Sequence, residues 1–249
     1  MNRKVLALVV ALFSIIRPPL PGTAHAALLL GFDFQTGVPI HPSGSVLQTY
    51  AANFGDGMLF MDGSQGSSAW DPQSDSVYAQ LSSLPGTTIN TAGTPFSTVT
   101  TGYGAVTFRM PQVENGGVNS NGFHAVFAFD MSGYQELGIS YAFRRQNNNA
   151  YTQLQWDYSV DGINWQPIDT HAAMATEWTA FSLPIFDGLD DQPAAYVRVT
   201  FSGASISTAG KGFYMDNFQF NAQPIPEPAS VALLLLGPAV WLLIGRKGS

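Results

Sequence analysis

The sequence predicts an all-β protein: a two-layer antiparallel β-sandwich, jelly-roll-like, of about ten strands, set between an N-terminal signal helix and a C-terminal transmembrane helix. Three observations carry this expectation. Short apolar runs bounded by Gly, Asn and Asp recur through residues 27–221, several of them alternate with period two, and that region has no helical period. The two ends instead carry continuous apolar runs flanked by basic residues. The boundaries that follow are 1–26 for a signal peptide, 27–221 for the sandwich and 222–249 for a tail.

At the N-terminus, Arg3 and Lys4 precede an apolar core from Val5 to Ile16, then Pro18, Pro19, Pro21 and Ala24-His25-Ala26. This order reads as a secretory signal peptide cut after Ala26, with Ala24 and Ala26 supplying the small residues of the cleavage site. Twelve apolar residues are too few to span a bilayer.

The body carries Arg109, Arg144, Arg145, Arg198 and Lys211 against sixteen acidic residues, a net charge of −11. Phosphate backbones would be repelled, which excludes nucleic acid as a partner. The chain has no cysteine, so disulfides, thiol catalysis and cysteine metal sites are excluded and stability must come from the core.

Strands are expected near residues 28–34, 57–61, 76–81, 103–110, 122–130, 136–144, 151–160, 177–183, 195–202 and 213–220, with long loops between residues 38 and 102. From Tyr151, the residues Leu154, Trp156, Tyr158 and Val160 share one face, which makes Trp156 a core residue rather than a ligand platform. Leu137, Ile139, Tyr141 and Phe143 alternate in the same way, as do Ala195, Val197, Val199 and Phe201. Asp161-Gly162 reads as a tight hairpin turn that needs positive φ. The stretch Tyr158-Ser-Val-Asp-Gly-Ile-Asn-Trp165 resembles the Ser-x-Asp-Gly-x-x-Trp hairpin of discoidin-like extracellular sandwiches, which implies a turn whose Trp165 covers the core.

Catalytic signals are sparse. No serine sits in a Gly-x-Ser-x-Gly elbow, and His41, His124 and His171 stand apart in sequence. Glycoside hydrolysis needs two facing carboxylates, and no pair is singled out. Asp187, Asp190 and Asp191 read as a solvated turn. Trp70, Tyr103, Trp165 and Trp178 lie near turns or strand ends, where exposed rings could form a sugar platform.

Calcium is the one cofactor to expect. In Gly212-Phe-Tyr-Met-Asp216-Asn-Phe-Gln-Phe220, strict alternation would put Asp216 on the face of Tyr214, Phe218 and Phe220, where a carboxylate needs a partner. The stretch resembles the last strand of carbohydrate-binding jelly rolls, which implies a structural calcium held by Asp216 together with an acid near the first strand, here Asp33. Backbone carbonyls would complete its six to eight oxygens. The other reading makes Asp216 the start of a bulge or the partner of Arg198 or Lys211.

The tail reads Pro224-Ile-Pro226-Glu227-Pro228, an uncharged apolar run from Ala229 to Ile244, then Gly245, Arg246 and Lys247. A helix over Ala229 to Gly245 would be about 25 Å long, slightly short of a hydrocarbon core of about 30 Å. Arg246 and Lys247 would lie at the cytoplasmic face, leaving the body outside. Pro226, Glu227, Pro228 and the basic tip resemble the PEP-CTERM sorting signal of bacterial surface proteins. That resemblance implies an exosortase-type protease as partner, a transient hold in the inner membrane through the C-terminal helix, delivery to the cell surface or beyond, and company with exopolysaccharide. The expected function is that of a non-catalytic surface or matrix protein. A secreted glycan-active enzyme, glycosidase or lyase, on the same scaffold is the alternative, and a purely structural protein is a third.

Overall fold

The computed structural model describes residues 26–35, 49–61, 79–81, 86–98, 105–109, 121–146, 150–173, 175–204 and 212–226, with backbone alone for 79–81, 106–109 and 212. The expected signal and transmembrane helices lie outside these residues, as do Ala24, Glu227, Pro228, Arg246 and Lys247. So do His41, Trp70, Tyr103 and Lys211. Ala26 and Pro226 are described, and both are exposed.

Residues Ala26–Gln223 form one compact unit. Twelve strands are described: β1 (Ala27–Phe32), β2 (Thr49–Ala51), β3 (Gly57–Phe60), β4 (Ala79–Leu81), β5 (Val106–Arg109), β6 (His124–Phe129), β7 (Tyr134–Arg145), β8 (Gln153–Ser159), β9 (Gln166–Ala172), β10 (Thr179–Ser182), β11 (Ala195–Ser202) and β12 (Gly212–Pro224). They make two six-stranded antiparallel sheets. The first runs β10-β7-β12-β5-β4, with β1 also paired to β12, and the second runs β2-β3-β6-β11-β8-β9. From β6 onward the chain passes back and forth between the sheets, so neighbours in space are distant in sequence.

Between the sheets lies an aromatic core. Leu137, Ile139, Tyr141 and Phe143 of β7 and Ala195, Val197, Val199 and Phe201 of β11 are buried, each at the expected period of two. Trp156 is buried, stacks on Phe127 and meets Tyr141 at a tilt. Phe218 and Phe220 both meet Phe127 across the core. Full burial of side chains of this size contributes roughly 1.5–3 kcal/mol each. Val160 departs from the expected face: it is 48% exposed, because the chain has already entered the turn.

Two strands were not expected. β2 is only three residues long. β9 is polar and contains Pro167, which an edge strand tolerates because one side of its backbone needs no ladder partner. It pairs with β8 through the turn at Asp161-Gly162, where Gly162 has φ +71°.

The expected face of Asp216 is corrected. Phe213 and Met215 belong to the core, and so do Phe218 and Phe220, so the alternation of β12 changes parity between them. Asn217, at φ +50°, is the residue that shifts it. Asp216 therefore shares the outer face with Tyr214 but stands opposite to Phe218 and Phe220.

Candidate functional site

Part of the outer face of the first sheet, around Gly31, Asp33, Ser140 and Asp216–Gln219, is covered by residues 86–98, which cross it as a strap. Asp216 Oδ2 accepts the Thr87 N–H at 2.8 Å, and its Oδ1 accepts the Asn217 N–H at 2.8 Å. The Asn217 side-chain amide donates to the carbonyls of Thr87, at 2.6 Å, and Ile89, at 2.9 Å. Asn90 donates to the Asn217 carbonyl and to Ser140 Oγ, and Gln219 donates to the Asn90 carbonyl. Farther along, Asp33 Oδ2 accepts the Ser97 N–H and Oδ1 accepts the Gln35 N–H. Phe96 lies so close over Gly31 that a Cβ there would come within 2.6 Å of the ring. Only glycine lets the strap sit down on β1.

This arrangement brings Asp33 and Asp216 together, both fully buried. Burial pushes the Asp216 carboxyl well above the usual carboxylate range; the Thr87 and Asn217 N–H groups oppose the shift, and the nearby charge of Asp33 adds to it. Among the described residues Asp216 has no ion pair, and Arg198, one partner weighed for it, pairs with Asp157 instead. Beside it, Asn217 Oδ1 is buried with no hydrogen-bond partner. The chemistry of these groups is hard and all-oxygen, the kind calcium takes, although each carboxylate oxygen already accepts a backbone N–H. No group of three or more His, Cys, Asp or Glu side chains suited to a metal occurs among the described residues, so carbonyls would have to complete the shell.

The outer face of the second sheet differs in character. Facing outward there are Asp157 and Ser159 of β8 and Tyr196, Arg198 and Thr200 of β11, the last two strands being direct neighbours. Arg198 donates to Asp157 Oδ2 through Nη2 at 2.8 Å and through Nε at 3.2 Å, and Gln155 donates to the other carboxylate oxygen. The Arg198 guanidinium lies 4.3 Å from the centre of the Trp165 ring, a cation–π contact. Trp165 was expected to cover the core. It covers Arg198 instead, because the hairpin folds over the outer surface and the Tyr196 ring packs against Gly162. Asp161 accepts the N–H groups of Ile163 and Asn164 and the Asn164 amide, which hold its carboxyl below the usual range, with the Asn164 N–H the largest cause.

The tryptophan platform does not assemble as a unit. Trp165 lies on the second sheet, whereas Trp178 lies beside Arg144 of β7 in the first. His171 is not isolated. Trp156 Nε1 donates to the Tyr141 hydroxyl, which is hydrogen-bonded to His171 Nδ1 at 2.9 Å, and the imidazole stacks on Phe181. Burial pulls the His171 pKa down to about 4, so the ring is neutral and acts as a core residue. Asp190 and Asp191 cap the N–H groups of Glu136 and Gly133, tying one turn to another. A pocket of about 190 Å³ near Ala26 is lined by a single carboxylate, Glu136, with Ser140, Ser182 and Asn221.

Sequence reasoning named Asp33 and Asp216, missed Asn217 and Arg144, and offered Arg198 as a partner for Asp216 where the structure pairs it with Asp157. Asn217 could have been suspected from the tolerance of asparagine for positive φ. The two arginines needed strand register, which no local pattern supplies.

No protein family matches the chain, and no curated protein does. Solved structures of similar fold include the K3 cleaved adhesin domain of Lys-gingipain from Porphyromonas gingivalis w83, at 11% identity and TM-score 0.41, covering 78% of this chain and 98% of that one. The CBM22-1 xylan-binding domain from Paenibacillus barcinonensis Xyn10C is 8% identical with TM-score 0.38, covering 82% and 100%. The C-terminal family 22 carbohydrate binding module of Clostridium thermocellum Xyn10B is 14% identical with TM-score 0.37, covering 80% and 96%.

Proposed function

We propose that this chain is an exported, non-catalytic glycan-binding sandwich. Its signal peptide is cut after Ala26, its tail is handled at Pro226-Glu227-Pro228 by an exosortase-type protease, and its body associates with exopolysaccharide at the cell surface or in the matrix. The observation that carries the binding reading is the outer face of the second sheet. There Trp165 and Tyr196 flank a charge pair that neutralises itself, amid the hydroxyl of Thr200 and the amide of Gln155. Aromatic surface beside uncharged hydrogen-bonding groups suits a polyhydroxyl ring.

The neighbouring carboxylates Asp33 and Asp216 argue for binding over hydrolysis, since both are sealed beneath the strap and cannot flank a glycosidic bond. Their proposed role is structural: with Asn217 Oδ1 and backbone carbonyls they would hold a calcium ion that locks the strap to the sheet.

A glycan array probed with the exported protein, with and without calcium, tests this. Retention on a subset of glycans is expected, with Trp165→Ala weakening it about tenfold while melting stays cooperative. Retention on no glycan, or full retention by Trp165→Ala, would overturn the reading.

A further inference from the structure

Arg198 pairs with Asp157, and Arg145 is a buried residue that donates through Nη2 to the Ala150 carbonyl, although its Nε, like that of Arg144, meets no acceptor. Arg144 points outward from β7, between Trp178 at the start of the neighbouring β10 and Tyr214 of β12 on the other side, its guanidinium 6.0 Å and 5.6 Å from the two ring centres. It has no carboxylate partner among the described residues, and its Nε is buried without a hydrogen-bond partner. A buried donor left so is costly, the more so on a charged group. In a body of net charge −11 a buried-edge arginine without an acid beside it is unexpected, because acids outnumber bases by sixteen to five.

We propose that Arg144 and Trp178, with the buried ring of Tyr214 backing the guanidinium, form a second saccharide site on the outer face of the first sheet that takes a carboxylate-bearing sugar: a uronic acid residue of a polysaccharide. The carboxylate satisfies the guanidinium through two parallel N–H bonds, a geometry that the planar fork provides and a lysine does not. The half-buried Trp178 ring offers the apolar surface on which the C–H face of the pyranose rests. Exposed Glu177 precedes Trp178, so a densely sulfated or phosphorylated chain is repelled where a single carboxylate can be placed away from it. The two sheet faces then read different chemistry, neutral at Trp165 and acidic at Arg144. This inference rests on the glycan-binding reading above.

Calorimetric titration of the exported protein with oligogalacturonate, and with a neutral galacto-oligosaccharide of equal length, is the test. Arg144→Gln should weaken oligogalacturonate binding about tenfold or more, with Arg144→Lys in between and matching melting curves. Unchanged binding by Arg144→Gln, or loss through Trp165→Ala instead, would overturn the site. Binding of the neutral oligosaccharide alone would overturn it while leaving the proposed function standing, whereas binding of neither here and of nothing on the array would remove both.

Discussion

Asp216 concentrates the energetic question at the residue scale. Its carboxyl is raised above the ordinary value chiefly by burial, so the metal-free fold holds a proton there more tightly than the unfolded chain does. That contribution is full below the unfolded pKa near 3.9 and is lost as pH rises through the folded value, leaving a cost at neutral pH. A calcium ion would replace the proton where the cost is greatest. At pH 7, chelation should therefore lower the melting temperature by roughly 5–10 °C, which corresponds to an ion present at about a hundred times its dissociation constant. The difference should shrink near pH 4.5, and Asp216→Asn should abolish it; equal melting with and without chelator at pH 7 would rule the ion out. That Asp216 would be buried was legible, since a carboxylate in an apolar run has few other places to be. Which side chains share its face was not legible, because one positive φ at Asn217 reverses the parity of everything after it.

At the scale of elements, the strap is the feature the sequence conceals. Residues 86–98 read as a Thr- and Gly-rich loop, yet they are fixed by partners about 130 positions away. Polar side chains make those bonds, so no hydrophobic period announces them. Asn217→Ala should cost about 2–4 kcal/mol in chemical denaturation, because it frees one buried and one part-buried carbonyl and puts a Cβ-bearing residue without a polar side chain at positive φ. Asn217→Gly, which fits the backbone, should cost less. A loss under about 0.5 kcal/mol for the alanine variant would show that the strap does not depend on this clasp. β9 was missed for a related reason: an exposed edge strand with Pro167 carries little apolar pattern, although the turn preceding it was readable from Asp161-Gly162. Strands such as β7 and β11, buried on one face, were legible because burial imposes the alternation directly.

For the whole molecule, the two-layer all-β architecture follows from strand count and pattern, while the order of strands does not. The chain crosses between sheets at almost every step after β6, and only long-range packing fixes that order. Delivery is argued from the ends. If the tail is a sorting signal, changing Pro226, Glu227 and Pro228 together to alanine should leave full-length protein in the membrane fraction; normal release of the variant would contradict the assignment. The body's work after delivery is the central claim, and the separation of its features supports it: aromatics and neutral polar groups outside, paired carboxylates sealed within. The most direct measurement incubates the exported protein with the glycan that retains it best and follows both bound protein and new reducing ends. Saturable binding with no new ends above the protein-free control is expected. Release of new ends, lost with the protein's fold, would make it an enzyme and contradict the account.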